Sequence, residues 1–335
     1  MKHYKTIIQI VLLLVSSKWI HAQQKNNVFA WGINGHPFSQ AAYQDKTWDD
    51  QFQFLKDLKV GYYRVDVSLD KNGWSKEDQS FFSFIKKLKE HNVTLMPVIF
   101  PNEGKMLDDS ASVYDAYYKQ GKVFTQRYGA LLDVVEVGNE WDVKLTKSKK
   151  VDGTRASHYD LVKAQRRMWL LAGFIDGMKA VNPRIKVSVS LGWTHWYYLE
   201  LLRRYNVNYD IMGYHWYSDM GDITNARKPY GNFLPQLKEK YKKEIWITEF
   251  NTHNGTLKSS FEAQQQYIRK SLENILKQKN TVNGVFIYEL FDQPALRVKY
   301  PYESSYGLVF KENDRFVLKP AYYTFKDFIK RSIDY

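Results

Sequence analysis

Short, β-branched apolar runs recur through the chain, and each gives way to a longer stretch whose apolar positions repeat with helical spacing. The runs are Val28–Ile33, Val60–Val67, Val93–Phe100, Asp133–Glu140, Ile185–Leu191, Tyr209–His215, Glu244–Phe250 and Gly284–Leu290. Near-continuous apolar character over so few residues predicts strands buried on both faces. The stretches between them predict helices over 47–58, 75–91, 111–130, 155–181, 195–205, 232–242, 260–279 and 320–332. In the first, Trp48, Phe52 and Leu55 share a face behind a Thr47/Asp50 capping box. In the second, Phe81, Phe84, Ile85 and Leu88 do so behind Ser75/Asp78. Alternation of strand and helix argues for a parallel sheet. Eight such units, uninterrupted by any Gly/Ser/Pro-rich linker, predict an α/β fold closed as a single (β/α)8 TIM barrel over residues 23–335.

A barrel of this kind does its chemistry at the carboxyl ends of its strands. Polar and aromatic residues collect there in this chain, as in Asn139-Glu140-Trp141, Gly192-Trp193, His215-Trp216-Tyr217, Glu249-Phe250-Asn251 and Tyr288-Glu289. Two of the apolar runs stop at a glutamate, Glu140 and Glu249, and a carboxylate is costly to bury without a partner or a task. Two such ends on rigid strands suit a hydrolase that needs one proton donor and one nucleophile or base. Alternation places Ile245, Ile247 and Glu249 on one face, and Ile211, Gly213 and His215 on one face. Asn139 and Glu140 are neighbours, so both reach the mouth only where the strand ends or bulges. Glu136, one pleat below Glu140, reads as a buried, paired residue; Glu289 and Asp292 are further carboxylates to separate from the pair.

The first residues change the picture of where the protein works. Lys2 and Lys5 precede an apolar stretch from Ile7 to Val15, and Ala22 suits cleavage before Gln23. This predicts a secretory signal over 1–22 and a secreted or periplasmic protein, since the stretch is shorter than the roughly 20 residues a spanning helix needs. An uncleaved anchor is the alternative. No other segment is apolar enough to cross a membrane, and cysteine is absent, so disulfides and thiol chemistry are excluded. The formal net charge of +13 suits either an anionic polymer or simply solvated lysines, and the latter is the plainer account. No nucleic-acid-binding motif accompanies it. Aromatic residues make up 16% of the chain, enough to supply both a core and ring platforms for a flat ligand.

Gly138-Asn139-Glu140 and Thr248-Glu249 resemble the fourth- and seventh-strand ends of the clan A, or "4/7", glycoside hydrolases. Arg64, the His215/Tyr217 pair, Tyr306-Gly307-Leu308-Val309 and Lys319-Pro320-Ala321-Tyr322-Tyr323 extend the likeness over nearly the whole mature chain. At family level, Asn-Glu-Trp and Tyr-Glu-Leu-Phe-Asp lean toward families 39 and 5. The resemblance implies a retaining hydrolase of β-glycosidic bonds in a poly- or oligosaccharide, needing no cofactor or metal. It makes Glu140 the acid/base and Glu249 the nucleophile. Arg64 and Tyr217 would support Glu249, Asn139 would hold the sugar 2-hydroxyl, and His215 would touch sugar and nucleophile. The clan often ends strand eight with a tryptophan; here Tyr288 takes that place.

Other residues are weaker on their own. Trp141 and Trp193 are the preferred stacking platforms. His36 either contacts sugar or caps a turn, and Asp66 and Asp70 either serve sugar hydroxyls or, the preferred reading, pair with lysines. Several connecting loops are short, which favours an open groove and internal cleavage, whereas loops near 100–112, 141–156, 218–232 and 291–318 offer a pocket for end-wise attack as the alternative; a monomer is the default expectation. A metal-dependent barrel is disfavoured by only eight His, two of them in the leader, and by the lack of His-x-His. A secreted barrel that binds carbohydrate without cleaving it, and a transglycosylase using the same residues, are the remaining alternatives.

Overall fold

A computed structural model describes residues 29–44, 48–103 and 109–333. Eight parallel strands close into a barrel: β1 (Ala30–Gly35), β2 (Tyr62–Ser68), β3 (Thr94–Phe100), β4 (Val134–Val137), β5 (Lys186–Gly192), β6 (Ile211–Tyr217), β7 (Glu244–Asn251) and β8 (Gly284–Ile287). Each pairs with its sequence neighbours, and β8 returns to β1, so β4 and β8 stand on opposite sides. A helix follows each strand: α1 (Trp48–Leu58), α2 (Asp78–Glu90), α3 (Ser110–Tyr128), α4 (Leu161–Val181), α5 (Tyr197–Arg204), α6 (Leu234–Tyr241), α7 (Phe261–Lys277) and α8 (Pro320–Ile333). All eight strand–helix units anticipated from the apolar periodicity are present.

The apolar stripes bury as their spacing dictates. Phe52, Leu55 and Leu58 of α1 and Phe81, Phe84, Ile85 and Leu88 of α2 are buried against the outside of the barrel. The helix starts differ from expectation. Thr47 and the leader over 1–22 lie outside the described residues. At α2 no side chain caps the helix, which starts at Asp78 after Glu77. The Asp78 carboxylate is instead taken by Arg127 and the Tyr128 hydroxyl of α3, a charge-assisted pairing that outcompetes a local cap.

Inside the barrel, Ala30, Met96, Val134, Ile211, Trp246 and Phe286 form an apolar plug. Its Trp246 and Phe286 rings stack 5.7 Å apart, with Tyr62 edge-on to Trp246 at 5.3 Å. A polar layer begins one pleat above. Gly213 makes room for it: a Cβ there would lie 2.6 Å from Glu136 Oε2, 2.7 Å from Ser188 Oγ and 2.9 Å from Thr248 Oγ1.

Register corrects the parity expected for β7. Met212 pairs with Ile245 and Tyr214 with Ile247, so both isoleucines face the helices, whereas Gly213 pairs with Trp246 in the interior. A bulge between the Tyr214 and His215 pairings then sets His215 opposite Glu249. The extra residue, Thr248, turns Glu249 back into the mouth. Glu249 therefore does not share a face with Ile245 and Ile247. Among the described residues no helix is long and apolar enough to cross a membrane.

Candidate active site

At the carboxyl end of the barrel lies a cleft of about 440 Å³. Its lining includes His36 (after β1), Arg64 and Asp66 (β2), Asn139 and Glu140 (after β4), Trp193 (after β5), Tyr217 (β6), Glu249 (β7) and Tyr288 (after β8). A cleft of about 540 Å³ at the opposite end is larger, but the carboxylates lining it reduce to Asp133. Volume alone does not locate the chemistry.

Arg64 is the hub. Its side chain is 3% exposed and donates to Glu136 Oε1 from Nη2 (2.5 Å) and Nε (3.1 Å), to Asn139 Oδ1 (2.7 Å), to Asn34 Oδ1 (2.6 Å) and to Glu249 Oε1 (2.8 Å). One cation thus serves two buried carboxylates, which the interior tolerates only when charges are paired and fully hydrogen-bonded. Glu136 is the buried, paired residue its position below Glu140 suggested, and Ser188 Oγ donates to its other oxygen at 2.8 Å. Asn34 is oriented by donating Nδ2 to the carbonyls of Thr248 and Ile287, stitching β1 to β7 and β8.

Glu249 accepts a second hydrogen bond from the Tyr217 hydroxyl at 2.8 Å. Its side chain is 9% exposed, against 37% for Glu140. Glu140 is reached by His215 Nδ1 at 3.0 Å. His215 Nε2 lies 3.3 Å from Arg64 Nη2, whose two N–H groups serve Glu136 and Asn139. One ligand atom from each of Glu140, His215 and Glu249 falls within a 4.8 Å set. The β4 strand ends at Val137, and Gly138 (φ +74°) and Glu140 (φ +47°) take left-handed conformations. This is the strand end that lets Asn139 and Glu140 both reach the mouth.

His36 lies on the cleft floor, with Nδ1 3.1 Å from Asp66 and Nε2 3.5 Å from Glu289. Burial lowers the His36 pKa, but the hydrogen bond and charge of Asp66 outweigh it and push the imidazole up to about 9. Burial pushes Glu289 up to about 8, while Tyr43 and Gln293 hydrogen-bond it; the charges of Glu289 and Glu249 add to the His36 shift behind Asp66. A pKa raised above the ordinary 6.5 stabilises the fold fully below that value and ceases to do so as pH rises through about 9. The stability difference between the wild type and His36→Gln is therefore expected to shrink between about pH 6 and pH 10 in urea unfolding. A gap independent of pH would disprove the pairing.

Three expectations need correction. Trp141 is not a platform in the cleft: it is 3% exposed, folded under the β4 tip with its ring against Gly138 and the Arg167 guanidinium 4.0 Å over it. Asp66 pairs with His36 rather than a lysine. Asp70 accepts from the backbone N–H groups of Asn72 and Trp74, closing a turn. Trp193 does line the cleft, from a left-handed backbone (φ +47°). Tyr288 lines it too, although its hydroxyl donates to Glu303 at 3.0 Å. Sequence reasoning missed Asn34, His253, Tyr302 and Glu303. The last two sit in the long β8–α8 connection, where no periodicity marks them.

The comparisons with known proteins agree on the architecture. A β-glucosidase from Thermotoga maritima in complex with cyclophellitol superposes with a TM-score of 0.65 at 13% identity, covering 91% of this chain and 98% of that one. A β-glucosidase from Exiguobacterium marinum gives 0.67 at 12% identity, covering 91% and 99%. Virulence factor SghA from Agrobacterium tumefaciens gives 0.60 at 13%, covering 90% and 96%. At such identities the likeness establishes the barrel alone. No curated protein matches the sequence. The family model for glycosyl hydrolase family 53 matches residues 97–312, most of the barrel and both glutamates, in place of the lean toward families 39 and 5. The chain belongs to glycosyl hydrolase family 53 and is a clan A glycoside hydrolase.

Proposed function

We propose that this chain is a secreted, retaining glycosidase that cleaves β-linked poly- or oligosaccharides internally by double displacement. The observation that carries the reading is the approach of Glu140 and Glu249 oxygens to within 4.8 Å. Retaining pairs stand about 5–5.5 Å apart, whereas inverting pairs leave about 6.5–9.5 Å for a water molecule.

The surroundings divide the roles. Glu249 is clamped by Arg64 and Tyr217, two donors that favour its ionised form and fix the oxygen that attacks the anomeric carbon. Glu140 is more open and has His215 as its hydrogen-bonding side-chain partner. It gives its proton to the departing glycosidic oxygen as the Glu249–carbon bond forms. It then takes a proton from the water that cleaves the glycosyl ester. Asn139, held by Arg64, is placed to meet the sugar 2-hydroxyl. Trp193 after β5 and Tyr302 after β8 both line the cleft, ring surfaces from different strand ends that suit a sugar chain. The leader over 1–22 supports export.

The test is proton NMR of the first product released from a panel of β-linked polysaccharides. Appearance of the β-anomer before mutarotation is expected. The α-anomer first would overturn retention.

A further inference from the structure

The cleft contains a carboxylate that the double displacement does not use. Glu303 lies in a short 3-10 helix, Pro301–Ser305, within the β8–α8 connection, and lines the cleft with Tyr302 and Tyr306. The segment is fastened down. The Ser305 carbonyl accepts from Thr256 N (3.0 Å) and Lys319 Nζ (3.2 Å), and the Ser304 carbonyl from Gln293 N (3.1 Å). The Tyr306 hydroxyl accepts from Asn254 N at 3.2 Å. Tyr217, Tyr288 and Tyr306 pack as a trio with ring centroids 5.3–6.4 Å apart. Two of their hydroxyls each hold a carboxylate: Tyr217 holds Glu249, and Tyr288 donates to Glu303 Oε2.

Among the described residues no lysine, arginine or histidine forms a salt bridge with Glu303. Glu303 is half-buried, and the Tyr288 hydroxyl donates to its side chain. Burial pushes its carboxyl up to about 7, the charges of Glu249 and Glu140 adding to the effect while the Tyr288 hydrogen bond and the charge of His36 oppose it. The cleft thus keeps an acid with no ion-pair partner among the described residues, facing the space where a sugar would lie. Topology says which sugar. The leaving group departs on the side of Glu140, after β4, and β8 stands across the barrel from β4. Glu303 therefore borders the glycone.

The charges around it set the ligand class. Asp66, Glu140, Glu249 and Glu303 line the cleft, the Arg64 guanidinium is committed to Glu136 and Glu249, the His36 imidazole to Asp66 and the His253 ring to Asp219, and no lysine is among the lining residues. The chain's overall positive charge is not expressed where substrate binds. A carboxylate accepts hydrogen bonds from ring hydroxyls, while a sugar carboxylate beside it would meet like charge without an uncommitted cation to answer it.

We propose that Glu303, held by Tyr288, is a specificity-determining residue that accepts hydrogen bonds from glycone hydroxyls and selects neutral sugar units over uronates. This rests on the glycosidase reading above.

The full chain, Glu303→Gln and Glu303→Ala are assayed for reducing-end release on a neutral β-glycan panel and on the matching β-linked polyuronates, with thermal unfolding as a check on the fold. On the best neutral substrate, kcat/KM is expected to fall about 10-fold in Glu303→Gln and about 100-fold in Glu303→Ala, mostly through KM. The neutral-to-uronate ratio is expected to fall at least about 10-fold in Glu303→Gln. That ratio is insensitive to a general loss of folded enzyme. Neutral-substrate kinetics within twofold of wild type and an unchanged ratio would overturn the assignment while leaving the glycosidase reading intact. A wild-type chain that prefers polyuronates would also overturn it. If the wild type cleaves nothing in either panel, both readings fall.

Discussion

Glu249→Ala is expected to lose about 10⁴-fold or more in kcat/KM, roughly 5.5 kcal/mol of barrier, with the fold retained. The proposed covalent bond forms at this carboxylate, and the remaining donors cannot replace it. The decisive measurement adds azide. In Glu249→Ala, azide enters from the vacated face and is expected to restore turnover as an α-glycosyl azide. In Glu140→Ala the glycosyl-enzyme still forms, provided the leaving group needs no proton, so an aryl glycoside with an acidic phenol is used. Azide then displaces Glu249 and gives the β-glycosyl azide. Interchanged product configurations would reverse the two roles. Rescue in neither variant, with both folded, would argue against double displacement.

The second large effect concerns stability as well as rate. Arg64→Met is expected to cost about 3–5 kcal/mol, because it leaves Glu136 and Glu249 buried without their cation. At this chain length that corresponds to a fall in Tm of about 4–8 °C. Combining it with Glu136→Gln is expected to recover a large part of the loss, since the amide can still accept from Ser188 without carrying charge. The recovery separates charge burial from lost packing. If the double variant is less stable than Arg64→Met alone, the hub is not held together by charge. Activity is expected to stay low in both, because Glu249 and Asn139 lose a shared anchor.

These expectations rest on features that differ in how far the sequence reveals them. The strands were legible because runs buried between an apolar plug and a ring of helices must be apolar along their length. Their ends were less so: β4 stops at Val137, not Glu140, because Gly138 turns left-handed. Glu249 illustrates a sound location reached through a faulty step. Alternation within β7 placed it with Ile245 and Ile247, but the bulge at Thr248 is set by pairing with β6 and β8 and leaves no mark in one strand's pattern. Trp141 follows a reactive-looking glutamate yet turns inward, because the short helix Trp141–Leu145 folds it under the β4 tip. Arg64 was legible through the clan resemblance, as a support for Glu249. Its service to Glu136 as well as Glu249 depends on neighbouring strands meeting in space. Glu303 had no signal, since its role is created by a tyrosine from another part of the chain.

The stacked Trp246–Phe286 plug beneath the polar layer has a consequence of its own. It seals the lower barrel with hydrocarbon contacts that make no reference to the ionisable groups overhead. Rim side chains outside the Arg64 hub can therefore be exchanged like fittings on a closed foundation, and a barrel of this construction can acquire a new sugar preference without relearning how to fold.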